Sequence, residues 1–248
     1  MVGHTVHTFE TVDSTQAVLG RLAIEGAPEG TVVVARHQTA GRGSRGRSWW
    51  DTPGDSLLLS ALLRPAMPAA QVAQLSLVAG LAVADALQSA CDAPARIRWP
   101  NDVLIGGRKV CGVLPEAASQ ADGRVGYVLL GIGINVGQLE FPRELRDAAT
   151  SLVLATGVAH GQPRLLAAVL EAVGRRYDQW LRDGFAGLRD DWRQRAHTLG
   201  ERVRIADGRE GVAVDVDDTG ALLVDAGCGV LARVVSSAVP APSGERMA

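Results

Sequence analysis

The feature that most constrains how this chain of 248 residues folds is a segment that interleaves glycine with arginine, residues 41–50 with the sequence GRGSRGRSWW. Apolar, largely β-branched or leucine-rich runs stand on both sides of it, at 31–36 and 56–63, so we expect a loop anchored by two buried strands. Glycine leaves backbone N–H groups accessible, and arginine supplies fixed positive charge. The pattern therefore predicts a loop that binds a phosphate or a carboxylate.

The same loop has two other interpretations, a solvated turn and a contact with nucleic acid. Domains that bind nucleic acid usually carry an excess of basic charge. Here 25 Lys and Arg residues stand against 27 Asp and Glu residues, for a net charge of -2, so we expect no DNA partner. The two tryptophans of the loop favour coverage by a ligand over exposure to water.

Length and composition predict a folded protein, since 248 residues with 47% hydrophobic residues can bury one large core and a small appended module. We expect no signal peptide, because residues 1–10 are polar and histidine-containing where a basic start and an apolar core would be needed, and no apolar run reaches the roughly 18 residues of a membrane span. We therefore expect a cytoplasmic protein with no membrane association. The cysteines Cys91, Cys111 and Cys228 fit neither a disulfide framework nor a zinc site and are interpreted as small buried residues. The histidines give no metal-ligand spacing, so no metal-binding side chains are predicted.

The order of the predicted elements indicates an α+β fold. A first strand ends at Asp13-Ser14, either of which can cap a helix that runs toward Gly26. A long apolar helix is predicted from Pro68 to about residue 90, and further helices from 163 to 197. The strands of this region are predicted at 4–10, 31–36, 56–63, 96–99, 103–105, 109–117 and 127–136, with turns at Gly106-Gly107 and Asp122-Gly123.

Short strands at 202–205, 210–216, 222–225 and 230–235 then predict a small β-barrel. We place a main domain at 1–198, the barrel at 199–240 and a flexible tail at 241–248.

A second motif follows downstream, Arg98-Trp99-Pro100-Asn101-Asp102 and then Arg108-Lys109. In this order, the two motifs resemble the signature of the biotin protein ligases, Gly-Arg-Gly-Arg-x-Gly-Arg-x-Trp followed by Trp-Pro-Asn-Asp and Lys-x-x-Gly. Residues 131–135 (GIGIN) are similar to the family's Gly-x-Gly-x-Asn strand end. A dinucleotide fingerprint is the competing interpretation, but its third glycine and following helix are absent. The resemblance, carried by residues 13–136, implies a mixed sheet like that of class II aminoacyl-tRNA synthetases, with flanking helices and a C-terminal SH3-like β-barrel.

Members of this family activate biotin with ATP to form biotinyl-5′-adenylate and then transfer biotin to a lysine of a carrier protein. The resemblance therefore implies ATP, Mg²⁺ and biotin as ligands, and the biotin carboxyl carrier domain of an acyl-CoA carboxylase as partner. Because the family's first motif already falls at Ser14-Thr15, we expect the monofunctional type without a DNA-binding module. Whether two copies form a homodimer stays open.

The resemblance also assigns roles to single residues. Lys109 takes the position of the lysine that touches both the biotin carboxyl and the adenylate phosphate, where a cation offsets the repulsion of two anions. Arg42 and Arg45 are predicted to act with it. The predicted biotin contacts are Ser14, Thr15, Gln16, Gln38, Arg42, Gly43, Ser44, Ser60, Lys109 and Gly112. The predicted nucleotide contacts are Arg45, Arg47, Trp49, Asn101, Asp102 and Asn135.

Some alternatives stay open. Ser44 stands where the family usually has arginine, so we expect faster escape of biotinyl-adenylate, and Gln16 replaces the usual asparagine. Ser14-Thr15 also fits an ordinary helix cap. The role of Asp102 is open between a metal, the acceptor lysine and a structural contact. The competing functions are a lipoate or octanoyl ligase of the same fold and a non-catalytic biotin-binding regulator; the paired motifs argue against the first and Lys109 against the second.

Overall fold

The structure is a computed structural model that describes residues 2–119, 125–205, 208–227 and 231–235. Its centre is a seven-stranded sheet with the order β1-β2-β3-β7-β6-β5-β4, in which β1 and β2 are parallel and all other neighbours are antiparallel. Strands β4 to β7, consecutive in sequence, are therefore neighbours in an antiparallel meander. The strands are β1 Thr5–Val12, β2 Thr31–Gln38, β3 Ser56–Leu63, β4 Arg96–Arg98, β5 Asp102–Ile105, β6 Arg108–Ser119 and β7 Val125–Asn135.

Helix α1, Thr15–Ile24, connects the two parallel strands, as a parallel pair requires a crossover. It covers one face of the sheet through Val18, Leu19 and Ala23. Ser14 occupies the N-cap position, but its side chain makes no capping hydrogen bond. Ser14 therefore occupies the predicted N-cap position but does not make the hydrogen bond expected of a capping side chain.

Two longer helices, α2 at Gln74–Cys91 and α4 at Gln162–Asp183, cover the opposite face of the sheet. Helix α2 begins later than predicted, because the chain first makes only a 3₁₀ turn at Ala69–Gln71. Met67 O accepts a hydrogen bond from Val125 N, which ties this segment to β7. Among the described residues, α2 is the one helix long and apolar enough to cross a membrane, and 78% of it is buried inside the protein.

Two short helices complete the main unit, α3 at Leu152–Thr156, which was not predicted, and α5 at Arg189–Arg195. Asp85 of α2 joins three helices, since it pairs with Arg175 and Arg176 of α4 and with Arg195 of α5. Burial acts to raise the pKa of Asp85, but the hydrogen bonds and charges of Arg176 and Arg195 outweigh it and hold that pKa below its usual value.

The C-terminal strands form a separate antiparallel sheet with the order β11-β10-β9-β8. They are β8 Arg202–Arg204, β9 Glu210–Val216, β10 Leu222–Asp225 and β11 Leu231–Val234, close to the predicted positions. Cys111 is buried and Cys91 is partly buried. Cys228, the Asp122-Gly123 turn and the tail at 241–248 lie outside the described residues.

Candidate active site

A cavity with about 440 Å³ of empty space opens on the α1 face of the large sheet, where the loop of residues 41–50 crosses it. It brings together most of the residues predicted from both motifs, including Arg42 and Lys109. Its lining consists of Thr15, Gln16, Gln38, Arg42, Gly43, Ser44, Trp49, Leu59, Asn101, Lys109, Gly112, Val113, Leu114, Gly131, Ile132 and Gly133.

Glycines form much of the cavity floor. Gly112 and Gly133 are direct partners across β6 and β7. The indole of Trp49 lies against both glycines. A Cβ atom at Gly112 would stand 2.9 Å from its ring, and a Cβ atom at Gly133 would stand 2.7 Å from it. Gly131 makes room for Gln16 in the same way, with 2.8 Å from a Cβ position to Oε1. Any side chain at these glycines would displace Trp49 or Gln16.

The end of the cavity near α1 is a buried polar network. Thr15 donates to Gln38 Oε1 from its backbone N, at 2.8 Å, and from its Oγ1, at 3.1 Å. Ser60 Oγ lies 2.8 Å from Thr15 Oγ1, behind the cavity wall. Gln16 Nε2 donates to the carbonyl of Leu114 at 3.1 Å. Ser60 therefore orients Thr15 and does not form the pocket floor, and Ser14 does not line the cavity.

The opposite end holds Lys109, the only lysine among the 25 Lys and Arg residues of the chain. Its Nζ lies 2.5 Å from Asp102 Oδ1, and Asp102 Oδ2 lies 3.5 Å from Arg98 Nη2. The same ammonium stands 5.5 Å from the ring centroid of Trp49, within range of a cation–π contact. Trp49 Nε1 is buried, and no acceptor among the described residues reaches it. A cation and an unused N–H donor thus face the same space.

The glycine–arginine loop is a small hairpin. Gly43 N donates to Arg47 O at 2.7 Å, and Trp49 N donates to Gly41 O at 2.9 Å. At its base, His37 Nδ1 lies 2.9 Å from the buried Asp51 carboxylate. These contacts close the hairpin on both sides of residues 44–46, which form its tip.

The arginines of the loop differ in position. Arg42 faces the cavity and pairs with Glu116 of β6 at 3.0 Å. Arg47 folds back onto Ser44, with Nη2 3.2 Å from Ser44 Oγ. Arg45 has a left-handed backbone, with φ of 61°, and is exposed at the tip. Arg45 and Arg47 do not line the cavity, and their contacts with a nucleotide stay predictions.

Asn101 closes the second motif against β6. Its side-chain Nδ2 donates to Val113 O at 3.0 Å, and its backbone carbonyl accepts from Val113 N at 2.9 Å. Asn135 is buried outside the cavity and donates to Thr150 O at 3.0 Å. Trp50 is half-buried against Phe141, with ring centroids 5.5 Å apart.

A second, wider cavity with about 770 Å³ of empty space was not predicted from the sequence. It adjoins the first through the backbone, because Lys109 forms a β-bridge with Ala149. The segment after Asn135 has neither helical nor strand periodicity. The only sequence signal for this cavity is therefore the occurrence of aromatic and aliphatic residues beside arginines. Its lining consists of Arg108, Leu139, Glu140, Phe141, Arg146, Ala149 and Leu154.

A mixed sheet with this cavity, followed by a small antiparallel sheet, defines the class of biotin and lipoate ligases. Residues 8–135 match the biotin/lipoate A/B protein ligase family, and residues 198–239 match the biotin protein ligase C-terminal domain. The chain therefore belongs to the biotin/lipoate A/B protein ligase family. The resemblance predicted from the two motifs and the α+β fold with its C-terminal antiparallel sheet are both confirmed.

Several known proteins are similar over most of the chain. The biotin–[acetyl-CoA-carboxylase] ligase of Mycobacterium tuberculosis is 39% identical, covering 86% of this chain and 80% of that protein. The bifunctional ligase/repressor BirA of Bacillus spizizenii is 39% identical, covering 87% of this chain and 68% of that protein. The structure of the biotin protein ligase from Aquifex aeolicus in complex with biotin and ATP is 31% identical, with a TM-score of 0.83 over 96% of this chain and 98% of the other.

Proposed function

We propose that the protein is an ATP-dependent biotin protein ligase. It joins the carboxylate of biotin to the α-phosphate of ATP and then passes the biotinyl group to a lysine of a biotin carboxyl carrier domain. The observation that carries this proposal is that Arg42 and Lys109 share one cavity with the polar network of Thr15, Gln16 and Gln38. The network suits the ureido ring of biotin, and the cations suit the junction of carboxylate and phosphate.

The first step brings two anions into contact. At about 4 Å, two unit charges repel by roughly 4 kcal/mol at the effective dielectric of a partly open site. The Lys109 ammonium offsets this repulsion, and Asp102 and Trp49 hold it in place. A carboxylate oxygen of biotin bonds to the α-phosphorus. The bond from the α-phosphorus to the oxygen that bridges to the β-phosphate breaks, and pyrophosphate leaves. The neutral amine of the acceptor lysine then attacks the acyl carbon, and AMP leaves.

The second cavity offers space for the nucleotide. Leu139, Phe141 and Leu154 provide apolar walls for a base, and Arg108 and Arg146 provide positive charge for phosphates. Within the described ranges, no group of three or more His, Cys, Asp or Glu side chains could hold a metal. Mg²⁺ commonly binds through substrate phosphates and water, so in this proposal it enters with ATP as part of the substrate.

The proposal includes the wider assignment. A catalytic domain at 1–198 and a C-terminal domain at 199–240 are part of this proposal, and the separate sheets and the family match at 198–239 support them. A carboxyl carrier domain as acceptor is supported by the name of a relative, a biotin–[acetyl-CoA-carboxylase] ligase, and the cytoplasmic location stays a prediction from the sequence. Lipoate or octanoate activation is the alternative substrate choice, since the family also includes lipoate ligases.

The test is mass spectrometry of a carrier domain incubated with the protein, ATP, Mg²⁺ and biotin. We expect one biotinyl group on one lysine, and a loss of at least about 100-fold in rate for Lys109→Met, as when one key electrostatic group is removed. Arg21→Met, a surface cation outside the cavity, is the control and should retain the wild-type rate. Labelling with lipoate in preference to biotin, or no labelling, would contradict the proposal.

A further inference from the structure

We propose that Asp102 prevents Lys109 from being acylated by the intermediate that Lys109 helps to form. This inference rests on the proposed function. A lysine placed beside the acyl carbon of biotinyl-adenylate is itself an amine within reach of an activated acyl group. A catalytic site with this arrangement needs a feature that keeps its own lysine from competing with the acceptor lysine.

The charges around Lys109 provide such a feature. Asp102 Oδ1 lies 2.5 Å from Lys109 Nζ, and the two side chains are only 19% and 26% exposed. Arg98 contacts the other oxygen of Asp102, and Arg42 on the far side of the cavity is already neutralised by Glu116. Asp102 is therefore the carboxylate that anchors the Lys109 ammonium in an ion pair.

A protonated amine has no lone pair and cannot attack an acyl carbon. Without Asp102, the Lys109 side chain is no longer anchored, and its Nζ can reach the acyl carbon once it has lost a proton to solvent. Its Nζ then bonds to the acyl carbon of biotinyl-adenylate, the bond from that carbon to the phosphate oxygen breaks, AMP leaves, and a second Nζ proton passes to solvent. The product is a neutral amide at Lys109, so the protein loses the cation on which adenylation depends. Proximity makes the attack fast once the amine is neutral.

The other nucleophile near this centre is Cys111, which is fully buried. Burial raises the pKa of its thiol well above the usual range, so the thiol stays protonated and unreactive. Lys109 is also the only lysine in the chain. Acylation of this residue can therefore be read directly from the intact mass and assigned by peptide mapping, with the terminal amine as the one other amine to separate.

The experiment exposes the full chain to preformed biotinyl-5′-adenylate, so that the result does not depend on the adenylation activity of any variant. Asp102→Asn should gain one biotinyl group on Lys109 roughly tenfold faster than the wild type, because the lysine has lost the carboxylate that holds it away from the acyl carbon. Glu171→Gln is the control, an exposed carboxylate on α4 that does not line the cavity. It should behave as the wild type, and Asp102→Glu should restore protection.

The double variant Asp102→Asn/Lys109→Arg should show no labelling at position 109. If the wild type biotinylates a carrier domain but its own Lys109 is labelled as fast as that of Asp102→Asn, the inference is overturned. Absence of carrier labelling by the wild type would instead reject the proposed function. Circular dichroism reports whether each variant is folded, and Asp102→Ser replaces Asp102→Asn if that variant is not.

Discussion

Trp49 lies flat on two positions that have no side chain, Gly112 and Gly133. Lys109 is held over the same floor, since a Cβ atom at Gly112 would stand 3.1 Å from its Nζ. The resemblance to the family motifs predicts Lys109, Gly112 and Trp49 as site residues, because each falls within or directly after a motif. It does not predict that Ser60 lies behind Thr15, because that depends on how α1 crosses β3.

Gly112→Ala tests this floor. The added methyl group displaces Trp49 and the end of Lys109, so we expect the rate of biotinyl-adenylate formation to fall by about 10- to 100-fold. The midpoint of thermal unfolding should change little, because both displaced groups face the cavity. Gly80→Ala in α2, where a Cβ would meet Ile97 at an ordinary 3.5 Å, is the control. Pyrophosphate exchange measures the rate, and a wild-type rate in Gly112→Ala would rule out a tight floor.

Ser44 lines the cavity at the tip of the loop, where the family usually has arginine. An arginine there can donate charge-assisted hydrogen bonds to the adenylate phosphate, each worth about 1.5–3 kcal/mol. We therefore expect Ser44→Arg to slow the release of biotinyl-adenylate by roughly tenfold or more. Ser48→Arg adds the same charge to an exposed position outside the lining and should leave release unchanged. Equal release from the wild type and Ser44→Arg, measured by rapid filtration, would contradict the idea.

At the scale of elements, period and turn signals predict nearly all of the strands, because alternation and glycine turns are local properties. They do not predict the parallel pairing of β1 with β2, which depends on the crossover of α1. They also place the start of α2 too early, since a contact of Met67 with the distant Val125 decides it. The packing of α2, α4 and α5 around Asp85 is equally invisible in sequence, as its arginine partners lie about ninety or more residues away.

Asp85→Asn tests this three-helix junction. Removing the buried carboxylate leaves Arg176 and Arg195 without their partner, so we expect a loss of about 3 kcal/mol in the free energy of unfolding at pH 7. The pKa of Asp85 is lowered in the folded state. Its contribution is therefore complete above the unfolded value near 3.8 and is lost as the pH falls through the folded value.

Urea unfolding at pH 7 and near pH 3 measures both effects. The difference between the wild type and Asp85→Asn should narrow at the lower pH. Asp178→Asn, an exposed carboxylate on α4, is the control and should change stability by less than about 0.5 kcal/mol at either pH. An Asp85→Asn variant as stable as the wild type at pH 7 would show that the junction contributes nothing.

At the scale of the whole molecule, the C-terminal sheet holds the second motif. Trp99 Nε1 donates to Gly220 O at 3.0 Å, in the turn between β9 and β10, and Trp99 N donates to Thr198 Oγ1 at 2.8 Å. Asp217 organises that turn. Burial opposes its charge, but hydrogen bonds from Thr219 and the ion pair with Arg233 lower its pKa to about 2. Strand signals predict the small sheet itself, whereas a contact across more than a hundred residues leaves no local signal.

Because Trp99 stands three residues before Asp102, its bond to Gly220 O fixes the loop that positions Lys109. Trp99→Phe keeps an aromatic ring but removes the N–H donor, so kcat for adenylate formation should fall about tenfold while KM for biotin stays within about twofold. Trp192→Phe is the control, a fully buried tryptophan whose Nε1 meets no acceptor in the described part of the chain. Hydrogen exchange over 99–113 should accelerate only in Trp99→Phe. Equal kcat values for both variants would show that the two sheets act independently.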